Sequence, residues 1–144
     1  MPVRSPSSNR IVKRVMAFAA SKVPKLKHVQ HRFCPLAEME HRLHKRQFAH
    51  TYCDDPNLTA AERKLVKNHQ LVCWARAMTS LPAHRVAGIC LHELGHLLAG
   101  PMESSSRFAQ EMAADVAVLS ELGVEIKYLG KHNDNAVDLK QLER

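Results

Sequence analysis

Apolar and polar positions alternate along this chain at recognisable spacings that divide it into short elements. The first ten residues, MPVRSPSSNR, hold two Pro, three Ser and two Arg. Such a stretch buries little and reads as a mobile tail, with order beginning near Ile11. From Ile11 to Val23 the apolar residues Ile11, Val12, Val15, Met16, Phe18 and Ala19 fall on helical spacing, with Lys13, Arg14 and Lys22 at the other positions. Pro24 stops that helix. Leu36 to Phe48 reads as a solvated helix opened by Pro35, and Phe48 to Cys53 as a short strand before the turn residues Asp54, Asp55, Pro56 and Asn57. Thr59 and Glu62 have capping-box spacing, which predicts a helix from about Ala60 to Asn68. Leu71 to Met78, with Val72 and Trp74 among small residues, reads as a strand.

From Pro82 the pattern is helical again, with Thr79 or Ser80 as cap and Gly100-Pro101 as stop. A second helix is predicted from Ser105 or Ser106 through Phe108, Met112, Val116 and Leu119 to Gly123. Val124 to Leu129 then reads as a strand and Asp134 to Leu142 as a terminal helix. These elements predict an α+β fold in which a small, mostly antiparallel sheet packs on the Pro82 helix, with the next helix alongside. The expected organisation is a tail over residues 1–10 and a single domain over 11–144, its basic helical N-terminal region spanning about 11–50.

Composition narrows the class. At 144 residues the chain fits one domain, and one Trp, two Tyr and four Phe suit an α-rich core better than an all-β one. No apolar run approaches a bilayer span, so a membrane protein is not expected. Cys34, Cys53, Cys73 and Cys90 form no CxxC pair, and reduced thiols in a cytoplasmic protein are the expectation. The Arg- and Ser-rich start leaves organellar targeting as the alternative. Charge is uneven: residues 1–50 carry eleven Lys or Arg against two acids, residues 51–144 ten against twelve. A basic N-terminal third can hold a nucleic acid or an acidic protein by Coulomb attraction. His28, His31, His41, His44 and His50 lie in that region, but the cations around them disfavour a divalent metal there.

The chemistry concentrates later. His92 and His96 are four apart within a predicted helix, so both imidazoles share a face on which one zinc ion can accept both. Glu93 is offset by one residue, off the metal but near the water it would activate. Gly95 removes a side chain between the ligands and permits close approach by a neighbouring segment. On the next helix Glu111 and Asp115 also share a face. One acid can complete a three-ligand site with an open fourth position, and the other can accept a hydrogen bond from a ligand histidine. Tyr128 and His132 follow and are candidates, by position, for stabilising an oxyanion. Cys90 points away from the ligand face and reads as a core residue.

The run His92-Glu93-Leu94-Gly95-His96, followed by Glu111 and Asp115, resembles the gluzincin arrangement of HExxH with a downstream ExxxD. The glycine, the short spacer and the alanine-rich surroundings of Glu111 and Asp115 are most similar to the small ImmA/IrrE-like metallopeptidases of phages and mobile elements. The resemblance covers roughly residues 70–130. It implies a minimal zincin-like domain, Glu111 as third zinc ligand, Asp115 orienting His92, and a substrate cleft bordered by the Leu71–Met78 strand, whose edge a peptide could join. The first 50 residues match no pattern of that family, and no helix-turn-helix extension follows. The expected function is therefore a zinc-dependent endopeptidase with Glu93 as general base. The alternative is a nucleic-acid-associated or interaction module with a structural or inactive zinc site.

Overall fold

The computed structural model describes residues 6–34, 37, 39, 42, 43, 48–50, 58–68, 70–100, 106–130 and 134–143, and the fold is given for these. It is a mixed structure, mostly helical, with two small sheets. Helix α1 (Pro6–Lys22) begins five residues before the expected Ile11. Pro6 suits a first turn, where its missing N–H has no helical partner to lose, and the following polar residues are carried along by propagation from the anchored part. That anchored part buries Ile11, Val12, Val15, Phe18 and Ala19, the apolar stripe read from the spacing.

After a 3-10 turn at Pro24–His28 the chain forms β1 (Gln30–Phe33), a strand the sequence did not suggest. Its residues are exposed or half-buried, so no apolar alternation marks it. What makes it a strand is its partner. β3 (Leu71–Trp74) is buried at every position and pairs in parallel with β1, Arg32 opposite Cys73 and Phe33 opposite Trp74. On its other side β3 pairs antiparallel with β2 (Ala49–His50). The three-stranded sheet is therefore mixed, not mostly antiparallel, and β3 is its middle strand. The edge expected to receive a peptide is thus occupied on both sides.

Alternation along β3 feeds two cores. Val72 and Trp74 join the main cluster with α1 and the helix of the candidate site, while Leu71 and Cys73 join a smaller one with Cys34, Ala37 and Leu58. Cys34 and Cys73 are joined by a disulfide, with Cα atoms 5.5 Å apart, against the expectation of four reduced thiols. The pairing of β1 with β3 brings them within bonding reach, which residues 39 apart in sequence do not advertise. Cys90 is buried and unpaired, as expected.

Helix α2 (Ala60–Lys67) carries both halves of its capping box: Glu62 N–H donates to Thr59 Oγ1 (3.1 Å) and Thr59 N–H to Glu62 Oε1 (2.9 Å). Glu62 also pairs with Arg32, tying α2 to β1. Of the described residues of the expected Leu36–Phe48 helix, Ala37, Met39, Arg42 and Leu43 are helical and Phe48 is not, whereas residues 51–53 of the Phe48–Cys53 strand lie outside the described residues. β3 ends at Trp74, four residues short of expectation, because Arg76–Ser80 winds into a 3-10 turn.

Helix α3 (Ala83–Ala99) is the centre of the molecule, burying Val86, Ala87, Ile89, Cys90, Leu91, Leu94 and Leu97. Its cap is Pro82, whose carbonyl accepts from Arg85 and Val86 N–H (3.0 Å each). The Ser80 hydroxyl is turned back to the Ala77 carbonyl (2.8 Å) and does not cap it. Helix α4 (Arg107–Ala117) lies alongside, capped by Ser106 Oγ, which accepts from Ala109 N–H (3.1 Å), and passes through a wide turn at Val118–Leu122 to Gly123. Gly123 adopts φ 71°, the left-handed conformation that ends helices.

β4 (Lys127–Leu129) and β5 (Asp134–Ala136) form a separate antiparallel hairpin. The expected terminal helix over Asp134–Leu142 is thus a strand followed by a 3-10 turn at Leu139–Glu143. Tertiary packing decides this, because the backbone at Ala136 lies against Gly88 of α3. Among the described residues no helix is long and apolar enough to cross a membrane.

Candidate metal centre

Helices rarely approach at backbone contact unless a side chain is missing, and Gly95 is the missing one. A Cβ there would lie 2.8 Å from the Ala114 carbonyl carbon and 2.9 Å from Val118 Cγ2, closer than real Cβ contacts allow. The close approach anticipated from the sequence is therefore present, and it brings the acidic face of α4 over the histidines of α3.

His92 and Glu93 are the two buried polar residues among those described, at 7% and 8% exposure. Burying such groups is costly unless each has a partner or a role. For His92 the partners are clear: Nδ1 lies 2.7 Å from Asp115 Oδ1, and Nε2 is hydrogen-bonded to Glu111 Oε2. Glu111 Oε1 lies 3.5 Å from His96 Nε2. The two imidazole rings stand edge to face, with centroids 4.8 Å apart. One donor atom from each of His92, His96 and Glu111 lies within 4.8 Å of the others, so this cluster could hold a metal ion. Two imidazole nitrogens and a carboxylate oxygen are a donor set that suits zinc, and three ligands leave a position open.

The electrostatics follow from this packing. Burial would lower the His92 pKa, but the hydrogen bonds to Asp115 and Glu111 outweigh it and push it up to about 10. Those same contacts, from His92 first and then His96, hold the Glu111 carboxyl well below the usual carboxylate range. Burial pushes Glu93 up to about 7, against the pull of His92 and His96. Cys90 is pushed up by burial and by Glu93, so its thiol stays protonated and is not a ligand.

Four of the five residues expected to form the centre, His92, His96, Glu111 and Asp115, are thus in direct contact, with Glu93 buried beside them. Tyr128 is brought to the site too, although its hydroxyl is committed to Asp115 Oδ2. His132 lies outside the described residues. Sequence reasoning missed Gly88 and the hairpin packed on it. The available signal was a glycine four residues before His92, within the apolar stretch 86–91 of the helix, which marks a close backbone approach.

Comparison of the chain with protein-family profiles, with curated proteins and with solved structures finds no match.

Proposed function

We propose that this protein is a zinc-dependent endopeptidase of the gluzincin type, with His92, His96 and Glu111 as ligands. The reading rests on one observation: among the described residues three donors converge, while a further buried group, Glu93, stands beside them without joining. A site that only braced the fold would have no use for that carboxylate. Zinc held at these donors would supply a Lewis acid for the scissile carbonyl and make water at the open position easier to deprotonate.

The chain's own residues do the rest. Asp115 accepts from His92 Nδ1–H, which fixes the tautomer and leaves Nε2 free to ligate. Glu93, buried beside the donors, takes the proton of the attacking water and passes it to the leaving amine nitrogen. Peptide substrates are favoured over other acyl compounds by the resemblance of the HExxH and ExxxD residues, not by any geometry unique to peptides.

Glu93→Gln tests the reading. Zinc content should remain at one ion per chain while cleavage of an unfolded protein substrate falls at least about a thousandfold. Unchanged cleavage would refute the assigned mechanism, and a wild type without zinc would refute the metal site.

A second reading, an anionic partner held by the N-terminal region, is favoured by the exposure of Arg10, Lys13, Lys22, Lys25 and Lys27. Binding to a short labelled DNA duplex should then weaken at least about tenfold between 50 and 200 mM salt. Binding indifferent to salt would exclude it.

A further inference from the structure

The β4–β5 hairpin is fastened to the N-terminal half of α3. Val137 N–H donates to the His84 carbonyl (3.1 Å), Arg85 Nε donates to the Asn135 carbonyl (3.3 Å), and Arg85 Nη2 lies 3.5 Å from Asp134 Oδ1. Gly88 makes room for it: a Cβ there would lie 2.6 Å from Ala136 N and 2.8 Å from the Asn135 carbonyl carbon. Asn135 is the register partner of Tyr128. The backbone pressed against α3 is therefore the Asn135–Ala136 link, which ends on the rung that carries Tyr128, and Gly88 is one helical turn before His92.

From this rung the Tyr128 hydroxyl donates to Asp115 Oδ2, while Asp115 Oδ1 faces His92 Nδ1 at 2.7 Å. A carboxylate held at one oxygen can swing about its Cβ–Cγ bond. Held at both, it can turn only by breaking a hydrogen bond. We propose that Tyr128 is a positioning residue for the metal centre, fixing the Asp115 carboxylate and through it the ring plane of His92. This rests on the metal-site reading above. It also gives the hairpin a role, because its anchors at Gly88 and Arg85 lie on the same helix as the ligand His92. Tyr128 is thereby referenced to the ligand it helps to orient. An oxyanion donor, by contrast, needs a hydroxyl free to turn to substrate, and this one is engaged.

The test is zinc affinity at fixed pH, by competition with a chelating dye, for the wild type, Tyr128→Phe, Asp115→Ala and the double variant. Losing the direct partner of a ligand histidine costs roughly ten- to a hundredfold in affinity, so losing the group behind it should cost about three- to tenfold. Tyr128→Phe should also shift the visible absorption bands of the cobalt-substituted protein, which report ligand geometry. In the Asp115→Ala background the same substitution should change nothing further. Wild-type affinity and spectrum in Tyr128→Phe would overturn the inference, as would an undiminished effect in the Asp115→Ala background. A lowered urea midpoint with unchanged affinity would overturn it too, since the role would then be structural alone. A wild type that binds no zinc would overturn the metal site itself, and this inference with it.

Discussion

The α3–α4 pair and the β1–β3–β2 sheet are held together by different means. The helices meet backbone to backbone at Gly95 and Ala114, and beyond that contact they gather His92, His96, Glu111 and Asp115. The sheet is closed by apolar burial on both faces of β3, by the Cys34–Cys73 bond and by the Arg32–Glu62 pair at its margin. One region concentrates polar groups at a cost in stability, and the other is staple and core. A domain of this size can carry a cluster of buried ionisable groups because the apolar packing around α1, α3 and β3 offsets their desolvation.

If the division is real, damage to the sheet should lower stability and spare the metal. Replacing Cys34 and Cys73 together by Ala opens the 39-residue link between them, and the unfolding free energy should fall by about 2–4 kcal/mol. Zinc affinity should stay within about twofold. A parallel loss of affinity would show that the two regions respond as one. Conversely, Gly95→Ala strikes the helix contact: its new methyl meets the Ala114 carbonyl, and overpacking should cost about 1–3 kcal/mol. Because Glu111 comes from the displaced helix, zinc affinity should drop at least about tenfold. Stability lost without affinity would mean that the ligands do not depend on this contact.

The smallest expected effect reads the cost of the polar cluster directly, in protein stripped of metal by a chelator. Glu93 titrates near 7 in the folded chain against 4.5 ordinarily, so between those values the folded state holds a proton that the unfolded state has released. Stability must then fall as pH rises through this window. Glu93→Gln should remove that part of the slope and leave the variant more stable at pH 8 by about 1–2 kcal/mol. Identical pH dependence of the unfolding midpoint in variant and wild type would contradict this.

How much could be read in advance divides along the same line. His92 with His96, and Glu111 with Asp115, are four apart, and helical geometry alone sets each pair on one face. The Thr59–Glu62 capping box, the Ser106 cap and the Gly123 stop are also local, and each stands as read. What was misread is non-local. β1 carries no apolar alternation and is a strand because β3 pairs with it. Asp134–Ala136 looked helical and is a strand because β4 lies beside it and Gly88 admits its backbone. β3 itself ends early where the Arg76–Ser80 turn begins, and one of its edges is taken by β1, a strand that the pattern did not suggest, while β2, within the expected Phe48–Cys53 strand, takes the other.

The helical faces and the residue types on them are thus legible along the chain, because spacing along a helix converts directly into neighbourhood. Which acid meets which histidine nitrogen, the bond of Tyr128 to Asp115 and the meeting of Cys34 with Cys73 emerge from the folded arrangement. These are contacts between segments 13 to 39 residues apart. The α4 and hairpin contacts depend on how closely each backbone approaches α3 at Gly95 and Gly88, and the disulfide on the pairing of β1 with β3; a glycine can announce an approach along the chain, but which segment arrives is settled only in space.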